Sequence, residues 1–234
     1  MNKIIFSTDV ALFSIIEEKL KVLMVKRSID EREGGKWSLP GGRVDSSNKE
    51  TSLVKAEKVL KHRLGVEKQF FLKQNKVYDS IGRDPDDYAV SVCYFALIHD
   101  SELVATEGDG VDEYSWIDIN NLPKDKDIAF DHKEMILDCV ESIRADIRDN
   151  VTLFKFLPKE FTISEIRVTL ENILDVELNP SNFRTKMLSL KILNYTNKKK
   201  KENGDSPFKG QPPKLYEIDQ ERLKSLRLKK GLFL

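Results

Sequence analysis

The apolar residues of this chain change their rhythm near residue 150, and that change bounds what the chain can fold into. Upstream, residues 4–16 and 20–27 are rich in Ile, Val and Phe and read as two strands joined by a turn near Glu17 and Glu18. A helix is expected over 49–64, where Leu53, Ala56, Leu60 and Leu64 recur at spacings of three and four. Ser47 with Glu50 has the form of a capping box at its start, and Gly65 is a natural stop. Residues 88–98 form the strongest strand, 114–119 a shorter one, and Asp131 is placed to cap a helix over 132–148. Strands and helices that alternate in this way argue for a mixed α/β (α+β) domain. Downstream, Thr162 and Glu165 make a capping box for a helix over 163–174. Asn179 is an N-cap with Pro180 at the first helical position, opening a second helix that runs to about Leu190. Two apolar segments follow, LKILNYT and PKLYEID, separated by the polar stretch KKKKENGDSPFKGQPP. Helix, turn, helix and a two-stranded hairpin with a long basic loop is the order of a winged helix-turn-helix. For a chain of 234 residues this predicts two domains, 1–149 and 150–234.

The charge divides at the same place. The formal net charge is zero, yet residues 1–149 carry 22 Lys and Arg against 29 Asp and Glu, a net −7, and residues 150–234 carry 17 against 10, a net +7. An acidic half joined to a basic half points to a nucleic-acid or membrane partner for the basic half. No apolar run reaches about 18 residues, which argues against a spanning helix. The first residues, broken by Thr8 and Asp9, read as a strand rather than a signal peptide. Two cysteines, Cys93 and Cys139, in different expected elements argue against a disulfide framework or zinc site and for a cytoplasmic protein. Three scattered histidines do not make a metal site.

The segment LPGGRVDSSNKETSLVKAEKVLKHRLGV resembles the Nudix box. Its frame is intact: Leu39-Pro40-Gly41-Gly42 at the start and Gly65-Val66 at the end, with about two extra residues that fit the SSN stretch. In the Nudix family, carboxylates on one helix face hold Mg²⁺, which neutralises a diphosphate and activates water. Counting back from Gly65, the family's Arg-Glu pair falls on Lys58-Val59 and its Glu-Glu pair on His62-Arg63. A negative face has become a positive one, which repels a divalent cation. Glu50 matches the earlier family Glu, and also serves the expected capping box. Glu57 is one place off, about 100° round a regular helix. The resemblance therefore implies a Nudix fold without hydrolase activity and with no required metal or cofactor. Lys58 and Arg63 either replace the metal in binding a phosphate group or are solvated on the helix exterior.

The succession GRDPDDYAVSVCYFALI, AFDHKEMIL, LPKEFTISEI, NFRTKML and PPKLYEI resembles, in order and from about residue 5 to 218, the Nudix-related, NrtR-like transcriptional regulators. These are repressors of NAD metabolism, with relatives that sense sugars. The resemblance implies a sensor domain that binds ADP-ribose or a related nucleotide as effector, a homodimer, and release of a palindromic duplex operator when the effector binds. In this reading Arg43, Arg83 and Asp84 join Lys58 and Arg63 as ligand-binding candidates; Arg83-Asp84-Pro85 also fits simple turn chemistry. Asp131-His132 reads first as a helix cap, and Trp37 and Trp116 as core or interface.

In a winged helix the second helix of the turn motif enters the major groove. Phe183, Met187 and Leu190 recur at helical spacing and should face the core. Asn182, Arg184 and Lys186 are the candidates for base or nearby phosphate contact, since Asn and Arg suit bidentate contacts with adenine and guanine edges. Lys198, Lys199, Lys200 and Lys201 sit at the expected wing tip with Lys209 beyond, where phosphate contacts position the protein without reading sequence. The alternatives are a sugar-responsive regulator of arabinose type, a Nudix ADP-ribose pyrophosphatase with an appended module, and an RNA-binding or scaffold protein.

Overall fold

A computed structural model describes residues 4–63, 71–85, 88–99, 111–149, 151–199 and 212–226. The chain divides into two compact units, 1–142 and 143–234.

The first unit is organised on a mixed sheet. Strand β1 (Ile5–Ile16) turns at Glu17 and Glu18, both with positive φ, into the antiparallel β2 (Lys19–Arg27). Two left-handed residues in succession give the backbone twist that a two-residue hairpin needs. Val10 to Phe13 are fully buried, so β1 is covered on both faces and lies inside the sheet. Its other neighbour is β6 (Ala89–Leu97), parallel and in register from Ile5↔Ala89 to Phe13↔Leu97. The short strands β3 (Trp37–Ser38) and β4 (Gly41–Arg43) pair with β2 and β1; β5 (Phe71–Tyr78) pairs with β6 and β7 (Val111–Asp118) with β2. The strands expected at 88–98 and 114–119 are therefore present with slightly shifted ends. Strand β5 had no counterpart in the sequence reading, because Tyr78 is its one fully buried residue and no alternation marks it.

Helix α1 (Ser52–Lys58) starts three residues later than expected and is capped differently. The Ser47 amide and hydroxyl both donate to Asp45 Oδ1, at 3.0 and 2.5 Å, which fixes a separate single turn over Ser46–Asn48. Thr51 is the N-cap, its hydroxyl accepting from the Val54 amide, so the Ser47–Glu50 capping box does not form. Beyond Lys58 the helix widens into a π turn over Val59–Arg63. Ala56, Val59 and Leu60 pack against Val10, Leu12 and Leu23 of the sheet, and Leu53, expected inward, is exposed. Leu64 and Gly65 lie outside the described residues. Helix α2 (His132–Asp149) buries Met135, Ile136, Cys139 and Val140.

In the second unit, α3 (Ile163–Leu174) carries the expected capping box. The Glu165 amide donates to the Thr162 hydroxyl at 3.1 Å and the Thr162 amide to the Glu165 carboxylate at 2.7 Å. Asp175, with φ 55°, closes the helix, and Asn179 caps α4 (Pro180–Ser189) with Pro180 at its first position. Strands β8 (Leu193–Lys199) and β9 (Lys214–Ile218) form the hairpin, and Phe161 bridges to Tyr216 on the free side of β9. Phe183 and Met187 are buried as expected, together with Ile166, Leu170 and Ile173 of α3; Leu190, at the helix end, is half-buried. Helix α5 (Gln220–Leu226), which had no counterpart in the sequence reading, buries Leu223. Among the described residues no helix is long and apolar enough to cross a membrane.

The Thr162 cap is a local bond in a buried position, so Thr162→Ala is expected to lower stability by about 1 kcal/mol. The denaturation midpoint of the full chain measures this, and an unchanged midpoint contradicts it.

Candidate functional site

The first unit contains a cavity of about 290 Å³ between the strands β1, β2, β4 and the start of α2. Its lining carries five cations, Lys26, Arg27, Arg32, Arg43 and Arg83, against the carboxylates of Asp9, Glu31 and Asp84. The balance of +2 is the reverse of the unit's overall acidity and suits an anionic ligand.

Most of these cations are already engaged. Arg83 is nearly buried and donates two hydrogen bonds to Asp131, 2.9 Å from Nε to Oδ2 and 2.8 Å from Nη2 to Oδ1. Asp131, expected as the cap of α2, thus spends both carboxylate oxygens on Arg83. Arg32 Nη1 donates to Asp84 Oδ2 at 2.8 Å. Arg27 donates to the Arg32 carbonyl, pairs with Glu31 and lies 5.3 Å over the Phe130 ring. Arg43 is exposed and has no hydrogen bond or ion pair among the described residues. It is a guanidinium held at the cavity rim with its donors open, the arrangement that receives a phosphate group.

The floor is built by a close approach. Gly41 of β4 pairs with Asp9 of β1, and a Cβ on Gly41 would lie 2.1 Å from Asp9 Oδ1 and 2.6 Å from the Thr8 carbonyl oxygen. No side chain fits there. Asp9 Oδ2 accepts from the Ser91 hydroxyl at 2.6 Å. The buried His132 accepts at Nδ1 from the Leu39 amide, 2.9 Å away, so its proton is on Nε2, which faces Asp9 Oδ1 at 3.7 Å. Burial is the main cause that holds the His132 pKa below the usual histidine value, outweighing the Asp9 carboxylate that raises it.

Of the expected ligand residues, Arg43, Arg83 and Asp84 meet at this cavity. Lys58 does not line it: its Nζ donates to Glu50 Oε1 at 2.7 Å, while Glu50 Oε2 accepts from the Asp45 amide at 2.8 Å. The Lys58 bond, followed by the Asp45 amide, holds the Glu50 carboxyl below the usual range. The Arg63 side chain lies outside the described residues. The π turn also changes the helical count. It accommodates one extra residue, so positions before Val59 shift by one place relative to those after it. The reason for setting Glu57 aside holds only for an uninterrupted α-helix. Glu50 is committed to Lys58, and no three His, Cys, Asp or Glu converge among the described residues.

The sequence reading did not single out Asp9, Arg27, Arg32, Phe130 or His132 for the ligand. They converge from segments over 120 positions apart, and the basic run at 26, 27 and 32 was the one signal available. Nor did it foresee that Cys93 of β6 and Cys139 of α2 meet, with their sulfurs 3.6 Å apart in the core. The hydrogen bond between them, reinforced by burial, pushes the Cys93 thiol well up.

In the second unit Asn182 and Arg184 are exposed on α4, Lys186 is half-buried, and Arg184 and Lys186 have no hydrogen bond or ion pair from their side chains among the described residues. Lys198 donates to Glu160 at 2.8 Å, so its charge is shared with a carboxylate, and Lys199 beside it is exposed. Lys200, Lys201 and Lys209 lie outside the described residues.

Residues 6–139 match the NUDIX domain family and residues 153–218 the NrtR DNA-binding winged helix domain. The chain is 26% identical over 196 residues to the ADPR responsive transcriptional repressor NtrR of Acinetobacter baylyi, covering 84% of this chain and 77% of that protein. It is 34% identical over 140 residues to an ADP-ribose pyrophosphatase of Methanocaldococcus jannaschii, covering 55% of this chain and 71% of that one. In fold it resembles Shewanella oneidensis NrtR, crystallised with a 27mer DNA, with a TM-score of 0.76 at 24% identity over 94% of this chain and 95% of that one. The NUDIX domain of the same Shewanella protein, crystallised with ADP ribose, matches with a TM-score of 0.53 at 26% identity over 61% and 90% of the two chains.

Because Gly41 leaves no room for a methyl group, Gly41→Ala is expected to displace the Asp9 carboxylate or detach β4, destabilising the chain by about 1–3 kcal/mol. Urea denaturation tests this; a variant as stable as its parent would show that the floor yields freely.

Proposed function

We propose that this chain, which belongs to the Nudix family and carries an NrtR-type DNA-binding winged-helix domain, is a ligand-responsive transcription regulator. Its role is that of a repressor of NAD or related cofactor metabolism, acting in the cytoplasm as a homodimer on a palindromic duplex operator. Residues 1–149 sense the effector and residues 150–234 hold DNA. The effector is ADP-ribose or a related nucleotide. One observation carries this reading: a single chain joins a cavity with an open guanidinium, Arg43, to a winged helix whose second helix presents the side chains of Arg184 and Lys186 without partners among the described residues. The ADP-ribose named for the Acinetobacter repressor and bound in the Shewanella domain supports the choice of effector.

In the cavity, Arg43 binds the phosphate oxygens, and the Arg83–Asp131 and Arg32–Asp84 pairs hold the surrounding walls at fixed charge. Lys58 pairs with Glu50 away from the cavity and takes no direct part in holding the ligand. On DNA, Asn182 and Arg184 read base edges, while Lys186 and the wing lysines Lys198 to Lys201 contact phosphates. Binding of effector and of DNA oppose each other to the extent that the effector prefers one arrangement of the dimer.

A second reading, ADP-ribose hydrolysis, is favoured by the Methanocaldococcus relative and by the shifted position of Glu57. The two separate cleanly. With ADP-ribose and Mg²⁺ no phosphoester product is expected, and turnover near the common enzyme range of about 1 s⁻¹ or more would establish the second reading. In a mobility-shift assay on the upstream region of the protein's own gene, ADP-ribose is expected to release the DNA, with NAD and arabinose as comparison arms. Arg184→Ala should weaken specific binding by about 1–3 kcal/mol. A variant that shifts the operator like its parent would refute the assignment of α4 as the reading helix.

A further inference from the structure

Two polar atoms at the cavity floor face each other without a hydrogen bond. One is the His132 Nε2 proton donor, the other Asp9 Oδ1, and they stand 3.7 Å apart, beyond hydrogen-bond range. Both side chains are at least nine-tenths buried, His132 at 4% and Asp9 at 10% exposure. Both residues line the cavity. Their partners on the far side are fixed: the Leu39 amide donates to His132 Nδ1, and the Ser91 hydroxyl donates to Asp9 Oδ2. The pair is therefore an oriented donor and an oriented acceptor, both opening on the same space.

We infer that Asp9 and His132 form a hydroxyl-recognition subsite that selects a sugar-bearing effector over a bare phosphate. This rests on the reading of the cavity as the effector site. An atom placed about 2.8 Å from both groups must accept from Nε2–H and donate to Oδ1. A hydroxyl oxygen does both. A phosphate oxygen accepts only and is repelled by the carboxylate, and an ammonium donates only. Burial keeps His132 neutral, so Nε2 offers a single proton in a fixed direction. The anion-binding end lies alongside. Asp9 pairs with Gly41 and Ser7 with Arg43, so Arg43 stands two residues along the β1–β4 ladder from Asp9, and both line the one cavity. A phosphorylated sugar carries a hydroxyl and a phosphate on one molecule.

The test is calorimetric titration of the full-length parent, Asp9→Asn and His132→Asn, with ADP-ribose, inorganic pyrophosphate and L-arabinose. Asn at position 9 keeps the shape but offers the hydroxyl no charged acceptor. Asn at 132 keeps an acceptor for the Leu39 amide and removes the Nε2 donor. Both variants should lose at least about tenfold in affinity for ADP-ribose. Asp9→Asn should bind pyrophosphate as well as the parent or better, because a repelling carboxylate is gone. A merely structural role would weaken both ligands together, and that outcome overturns the subsite, as does ADP-ribose binding equal to the parent's. If the parent binds arabinose but not ADP-ribose, and the variants lose arabinose, the hydroxyl subsite stands and the nucleotide reading falls. A parent that binds neither removes both. Circular dichroism checks folding; should Asp9→Asn not fold, His132→Asn decides.

Discussion

The first unit depends on the approach of Gly41 to Asp9. Where β4 lies against β1 the backbones leave no space for a Cβ, and this lets a carboxylate occupy the floor of a cavity whose lining carries five cations. The same register places Arg43 opposite Ser7 at the rim. Leu39, two residues before Gly41, fixes the His132 ring through its amide and so ties the start of α2 to this loop. A glycine, a buried carboxylate and a neutral imidazole therefore form one assembly, and displacing any of them moves the others.

Around that floor the charges are arranged by commitment rather than by number. Arg83 and Arg32 are spent on Asp131 and Asp84, so they shape the walls. Arg43 is open, and it is the group whose hydration a ligand can replace. Lys58, which counting along the helix puts where a family Arg stands, is turned to Glu50 and makes an internal pair. The Glu50 side chain is 4% exposed, so Lys58 is spent on neutralising an inward carboxylate rather than on the cavity. The same distinction holds on α4 and the wing, where Arg184 is open and Lys198 is shared with Glu160.

Features set by near neighbours in sequence were legible. The Thr162–Glu165 box, the Asn179–Pro180 start of α4 and the Glu17–Glu18 turn each depend on a few consecutive residues. The same rule misled at α1, because Ser47 and Glu50 have the pattern of a box while Asp45, two residues earlier, holds Ser47 more tightly. The π turn at Val59–Arg63 could not be read, since counting by 3.6 presumes the very regularity it breaks. Strand β5 was invisible because it buries so little of itself. Arg43, Arg83 and Asp84 line the cavity together, as does His132, which from its place after Asp131 reads as part of a helix cap. Its role depends on Asp9 and Leu39, which only the sheet brings near.

The thiols of Cys93 and Cys139 carry one further consequence. Sulfur reacts as the thiolate, and Cys93 is pushed by its neighbour and by burial toward the protonated form. Proximity alone therefore does not make this a reactive pair. Alkylating reagents can reach it only when α2 lifts from β6, and the rate at which an electrophile consumes Cys93 becomes a clock for that opening. The protein carries its own reporter of the breathing of this core, with no label added.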